Sequence, residues 1–105
     1  MTNLLLTLGL CRRAGKLVIG TPLVCEKMRT GSSVCYVFYA SDASDATVKK
    51  LQNKCSYYGV PILKIEASTE MLGKAVGKSG AVAAVALTDA GFLPALHLTD
   101  RKGRE

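Results

Sequence analysis

Residues 17–40 read LVIGTPLVCEKMRTGSSVCYVFYA, and the hydrophobic period changes twice within this stretch. Leu17-Val18-Ile19 is an apolar run of strand length, ended by Gly20. Thr21 follows as a good N-cap, its hydroxyl able to accept from the free amides of a first helical turn. Pro22 then falls at the first helical position, where its missing N–H costs nothing. Val24, Cys25 and Met28 form the inner stripe of that helix, and Gly31 is placed to end it as a C′ glycine. Val34 to Tyr39 is β-branched and aromatic and is apolar on both faces, the pattern of an interior strand in a parallel sheet. The stretch therefore reads strand–helix–strand.

Upstream, Leu4, Leu5, Leu8 and Cys11 share one face of a helix over about residues 3–13, stopped by Ala14-Gly15. Downstream, Ala40 to Asp45 is a loop into a helix capped by Asp42 or Ser44. Val48, Leu51, Cys55 and Tyr58 make the buried stripe of this helix, with Lys49, Lys50, Gln52 and Asn53 facing water. Gly59-Val60-Pro61 closes it, and Ile62 to Ile65 is a third strand. Ser68 caps a helix with Glu70 in its first turn and Leu72, Ala75 and Val76 inward. Gly77-Lys78-Ser79-Gly80 is a basic loop, and Ala81 to Leu87 is a fourth strand. Asp89 starts a last helical segment carrying Phe92, Leu93 and Leu96, with Pro94 forcing a late or irregular first turn. Four strands alternating with five helical segments predict an α/β fold. Its expected form is a three-layer α/β/α sandwich on a small mixed four-stranded sheet, in which the first strand is free to pair antiparallel. Residues 1–100 make one domain, and 101–105 form a basic tail.

At 105 residues, 49% of them hydrophobic, the chain can bury one sizeable core and is not a candidate for disorder. No apolar run approaches the ~18 residues of a membrane span. Arg12 and Arg13 follow the N-terminal apolar stretch, the reverse of a secretory signal, so the expected location is cytoplasmic. The four cysteines, Cys11, Cys25, Cys35 and Cys55, have no CxxC spacing and only His97 to help them. They read as small buried hydrophobes, with no metal and no disulfide expected. The formal net charge is +6. Its N-terminal share, from Arg12, Arg13, Lys16, Lys27 and Arg29 against Glu26, points to a polyanionic partner.

The usual catalytic constellations are missing. There is neither GxGxxG nor GxxxxGK[ST], and the glycines of LGKAVGKSG follow a helix and precede a strand, the wrong order for a phosphate cradle. His97 has no nucleophile or acid at a telling spacing, so a non-enzymatic protein without a cofactor is expected. The start of the second helix is the more informative feature. Free amides and the positive end of the helix dipole suit a phosphate or a base edge, although Gly20-Thr21-Pro22 by itself also reads simply as a good cap.

Several segments together resemble the ribosomal-protein family L7Ae/L30e. They are Arg13-Ala14-Gly15-Lys16-Leu17-Val18 with Gly20; Ala40-Ser41-Asp42-Ala43; the Lys-rich helix ending Cys55-Ser56-Tyr57-Tyr58-Gly59-Val60-Pro61; and LGKAVG at 72–77 followed by Val82 to Leu87. Thr88-Asp89-Ala90-Gly91-Phe92 is similar to the bacterial YlxQ-type branch, and the match runs in order over about residues 3–98. The resemblance implies an α/β/α domain that binds kink-turn RNA, through the helix start after the first strand and the loop before the last. Those regions are Gly20 to Lys27 and Lys78 to Ala81 here. From these regions the implied RNA-binding residues are Gly20, Thr21, Pro22, Leu23, Glu26, Lys27, Lys78, Ser79, Gly80 and Ala81, and the basic stretch just upstream adds Arg13 and Lys16 to the expected set.

The chain departs from the family pattern G-x-N-E-x-x-K at three places. Pro22 stands at the Asn or Lys position, Leu23 at the Glu or Gln position, and Glu26 at the Lys position. Pro22 and Leu23 offer no side-chain hydrogen bond to a guanine edge, and Glu26 repels phosphate. Each lost base contact is worth ~1–3 kcal/mol. The expectation is a ribosome- or RNA-associated protein with weakened or altered kink-turn contacts and an undetermined oligomeric state. The alternative is a protein-interaction module that kept the fold, with Pro22, Leu23 and the segment at Ala81 forming a small apolar patch.

Overall fold

The computed structural model describes residues 2–30, 34–92 and 94. Its elements are α1 (Thr2–Arg13), β1 (Leu17–Ile19), α2 (Thr21–Arg29), β2 (Tyr36–Tyr39), α3 (Asp45–Tyr58), β3 (Ile62–Lys64), α4 (Thr69–Ala75) and β4 (Ala84–Leu87), followed by a 3-10 turn at Ala90–Phe92. In that turn the Asp89 carboxylate accepts from the Gly91 amide at 2.9 Å. Gly31 and all of the expected last helix beyond this turn except Pro94 lie outside the described residues, as does the 101–105 tail.

The sheet order is β1-β4-β2-β3. β4 pairs antiparallel with both β1 and β2, and only β2 and β3 run parallel. β2 is interior as its pattern requires, but its parallel neighbour lies on one side only. Apolarity on both faces reports that both faces are covered, and says nothing about the direction of the neighbouring strand. Alternate residues of β2 and β4 enter different cores, as the two-residue period of a strand demands. Phe38, Val85 and Leu87 pack with Leu8 and Cys11 of α1 and Leu72 of α4. Val37, Ala84 and Ala86 pack with Val24 and Met28 of α2 and Leu51 and Cys55 of α3. Two helices on each face of one sheet give the three-layer sandwich.

Serine side chains cap the starts of α3 and α4. Ser44 accepts from the Thr47 amide at 3.2 Å and Ser68 from the Met71 amide at 3.1 Å. Asp42, the other candidate cap for α3, instead accepts from the amide of Thr69 at 2.7 Å and so ties the loop after β2 to the start of α4. Gly59 ends α3 in the left-handed conformation. Three expectations are corrected. Tyr58 is not in the buried stripe: it is 37% exposed, its ring set edge-on to Tyr57 at 4.8 Å. The fourth strand starts at Ala84 rather than Ala81, because the Val82 amide donates to the carbonyl of Thr69 (2.9 Å) and holds that segment on α4. Thr21 does not cap α2, because Gly20 takes the N-cap position and Thr21 is already the first helical residue.

Candidate functional site

The site is built from two loops at one end of the sheet. Gly20 donates its N–H to the carbonyl of Ala84 at 2.9 Å, which extends the β1–β4 pairing by one residue. The chain must then turn at once into α2, and it does so with Gly20 at φ 101, ψ 136. A side chain tolerates that region poorly, so the turn depends on glycine. Gly20 thereby becomes the N-cap residue and its carbonyl accepts from Val24 at 2.9 Å, while α2 begins at Thr21 and no side chain caps it. Thr21 and Pro22 move one position inward from the sequence expectation. The amides of Thr21 and Leu23 have no acceptor within the helix, and no acidic residue stands in the first turn.

The second loop is held by α4. Gly73 packs so closely under it that a Cβ there would overlap the carbonyl oxygen of Gly80. The Lys78 amide donates to the Gly73 carbonyl at 2.9 Å. With Val82 bonded to Thr69, these contacts bring Lys78, Ser79, Gly80 and Ala81 against Gly20, Thr21 and Pro22 around one open depression of about 460 Å³. Seven of the sequence-derived residues therefore share a single surface. Its electrostatics are those of the α2 amides, the positive helix end and one lysine, which together favour an anion.

The other members of the set are distributed differently. Leu23 is 55% exposed on the first turn of α2. Glu26 and Lys27 lie further along the helix, both exposed. Glu26 is paired with Arg29 at 2.7 Å, so part of its repulsion of phosphate is offset locally. Arg13 lines a separate groove of about 660 Å³ between α1 and α4, together with Leu6, Leu10, Arg12, Met71 and Lys74. Lys16 stands before β1, at the other end of that strand from Gly20, and is exposed. Nearness in sequence to Gly20 does not bring these two residues to the depression. Arg12, left out of the implied set, is closer to the loop: a Cβ at Gly77 would lie 3.7 Å from its Nη1. Only the packing of α1 on α4 reveals this, and no sequence spacing signals it.

Chemistry elsewhere is quiet. Cys11, Cys25 and Cys55 are buried, Cys35 is half-buried, and all four are unbridged. Burial pushes the Cys55 thiol up to about 12, aided by Cys25 beside it, and burial also raises that of Cys11. Neither is suited to act as a nucleophile. No group of three or more potential metal ligands occurs among the described residues, nor does any helix there have the length and apolarity to cross a membrane.

Fold and depression together give a small α/β/α domain with an open depression lined by backbone amides, glycines and one lysine at one end of the sheet. The chain belongs to the Ribosomal protein L7Ae/L30e/S12e/Gadd45 family, whose sequence model matches residues 2–97. It is 45% identical to the RNA-binding protein YlxQ of Bacillus subtilis (strain 168) over 85 residues, 81% of this chain and 82% of that one. It is 44% identical to the RNA-binding protein YlxQ of Enterococcus faecium over 70 residues, 64% and 67% of the two chains. A solved Bacillus halodurans protein of unknown function superposes with a TM-score of 0.79 at 36% identity, covering 90% of this chain and 92% of that one. The Giardia lamblia 15.5kD RNA binding protein shares the fold, with a TM-score of 0.75 at 22% identity over 90% and 78% of the chains.

Proposed function

We propose that this chain is a non-enzymatic RNA-binding protein of the bacterial cytoplasm. On this reading it grips structured, kink-turn-type RNA of the ribosome or its assembly with altered contacts. The observation that carries the reading is the depression in which Gly20-Thr21-Pro22 meets Lys78 to Ala81. The family membership and the names of its relatives support RNA as the ligand class. The uncapped start of α2 offers amides to a phosphate or base edge, and Lys78 adds charge at the opposite wall. Pro22 and Leu23 replace side-chain base readout by backbone and apolar contact, so shape weighs more than base identity.

A gel-shift comparison tests this. The chain should bind a kink-turn RNA better than the same RNA with its G·A pairs replaced, and lose affinity as salt rises. Equal binding to both RNAs sinks kink-turn recognition, and a flat salt response sinks phosphate binding. The exposure of Leu23 beside exposed Pro22 favours a second reading, a protein-interaction patch at the same edge. A partner retained after nuclease treatment and lost on Leu23→Ser would select it.

A further inference from the structure

We infer that the outer face of α3 is a second RNA-contact surface, a platform for unpaired nucleotides separate from the depression. Lys49, Lys50, Asn53, Lys54, Tyr57 and Tyr58 line a shallow trough of about 650 Å³. Their spacing puts them on one side of the helix, roughly 14 Å from first to last at 1.5 Å per residue. The opposite side of α3 is committed to the core through Leu51 and Cys55, so this stripe is not needed to hold the fold.

Two features set the stripe apart from an ordinary solvated face. Tyr57 is 81% exposed, and among the described residues its one aromatic neighbour is Tyr58, edge-on at 4.8 Å. A ring left so open gains little from folding and presents a free π-face. Lys49, Lys50 and Lys54 have no ion-pair partner among the described residues, and the sole acid of α3 is Asp45 in its first turn. Lys50 and Lys54 are like charges at i, i+4, which repel one another until an anion lies between them. Lysines for phosphates, an amide for base edges and an aromatic face for stacking are what a single strand of nucleic acid requires.

The placement fits a ligand that also reaches the depression. Ala40, after β2, donates to Ala83, and Gly20, after β1, donates to Ala84, so both strands end where the depression lies. α3 starts from that end, and its trough leads away from it in the same layer as α2. The inference rests on the proposed function for its ligand class, RNA, and not for its location.

Binding of a fluorescein-labelled oligouridylate of about ten nucleotides and of a kink-turn RNA, measured side by side, tests it. Tyr57→Ala should weaken the oligouridylate about ten-fold or more, and Tyr57→Phe should retain affinity. A Lys49→Gln, Lys50→Gln, Lys54→Gln triple variant should lower the log–log salt slope by about 2. The chain has no tryptophan, so unlabelled oligouridylate should directly quench tyrosine emission, and less so in Tyr57→Ala. Lys78→Gln should leave the oligouridylate unaffected. Wild-type failure to bind it, or equal binding by Tyr57→Ala, overturns the α3 platform. Retained kink-turn binding in that case leaves the reading of the depression standing. Oligouridylate binding that falls with Tyr57→Ala while the kink-turn goes unrecognised supports the platform and removes the depression reading instead.

Discussion

Gly73→Ala is expected to destabilise the chain by about 1–4 kcal/mol and to displace the loop that forms one wall of the depression. Alanine at a helical position usually gains ~0.5–1 kcal/mol over glycine. Here the added methyl would overlap the carbonyl oxygen of Gly80 and stand 3.1 Å from its carbon and 3.5 Å from the Val82 nitrogen. All three are backbone atoms, so no flexible side chain can yield. Overpacking of this kind costs roughly 1–3 kcal/mol. Moving the loop also weakens the Lys78-to-Gly73 and Val82-to-Thr69 hydrogen bonds, each worth about 1 kcal/mol. The clash therefore outweighs the gain in helix propensity. Urea unfolding followed by circular dichroism should show a lower midpoint at unchanged slope. Gly80→Ala approaches the same contact from the other side, where a Cβ meets nothing within 4 Å, and should stay within about 0.5 kcal/mol of wild type. A Gly73→Ala variant as stable as wild type, or a Gly80→Ala variant equally damaged, would refute the close approach of α4 to this loop.

Gly20→Ala should cost about 1–3 kcal/mol through its φ of 101 rather than through crowding, since its Cβ position is open; thermal melts against wild type will show it. Leu51→Ala, at a fully buried position, should cost roughly 2–5 kcal/mol, whereas Leu23→Ala at 55% exposure should fall within about 0.5 kcal/mol. Alkaline stability follows from Cys55. Its folded thiol keeps its proton to about pH 12, against an ordinary thiol value of 9.0. Between those values the unfolded chain binds fewer protons, so stability falls as pH rises, by up to about 1.4 kcal/mol per pH unit. Urea midpoints at stepped pH should decline above about 9 in wild type and decline less steeply in Cys55→Ala.

Much of this architecture is local and therefore legible in the chain. Ser44 and Ser68 cap because their hydroxyls reach amides three residues on, and the stripes of Leu8 and Cys11, or Leu51 and Cys55, obey helical spacing. The alternation of Val37 with Phe38, and of Ala84 and Ala86 with Val85 and Leu87, assigns each residue to one of two cores. Such signals depend on neighbours within a few positions. Family resemblance adds which loops to watch.

Strand order and direction belong to the tertiary structure, because a three-residue strand such as β1 carries no mark of its partner and acquires one only when Ile19 faces Val85. The same pairing holds Gly20 on Ala84, turns the chain there, and shifts the cap from Thr21 to Gly20. Residues adjacent in sequence separate: Arg13 goes to the α1–α4 groove and Lys16 to the far end of β1. Gly20 and Lys78, distant along the chain, meet across one depression because α4 and β4 carry the second loop to the first. Short-range sterics and hydrophobic period determine the elements. Non-local packing decides which of their ends form a surface.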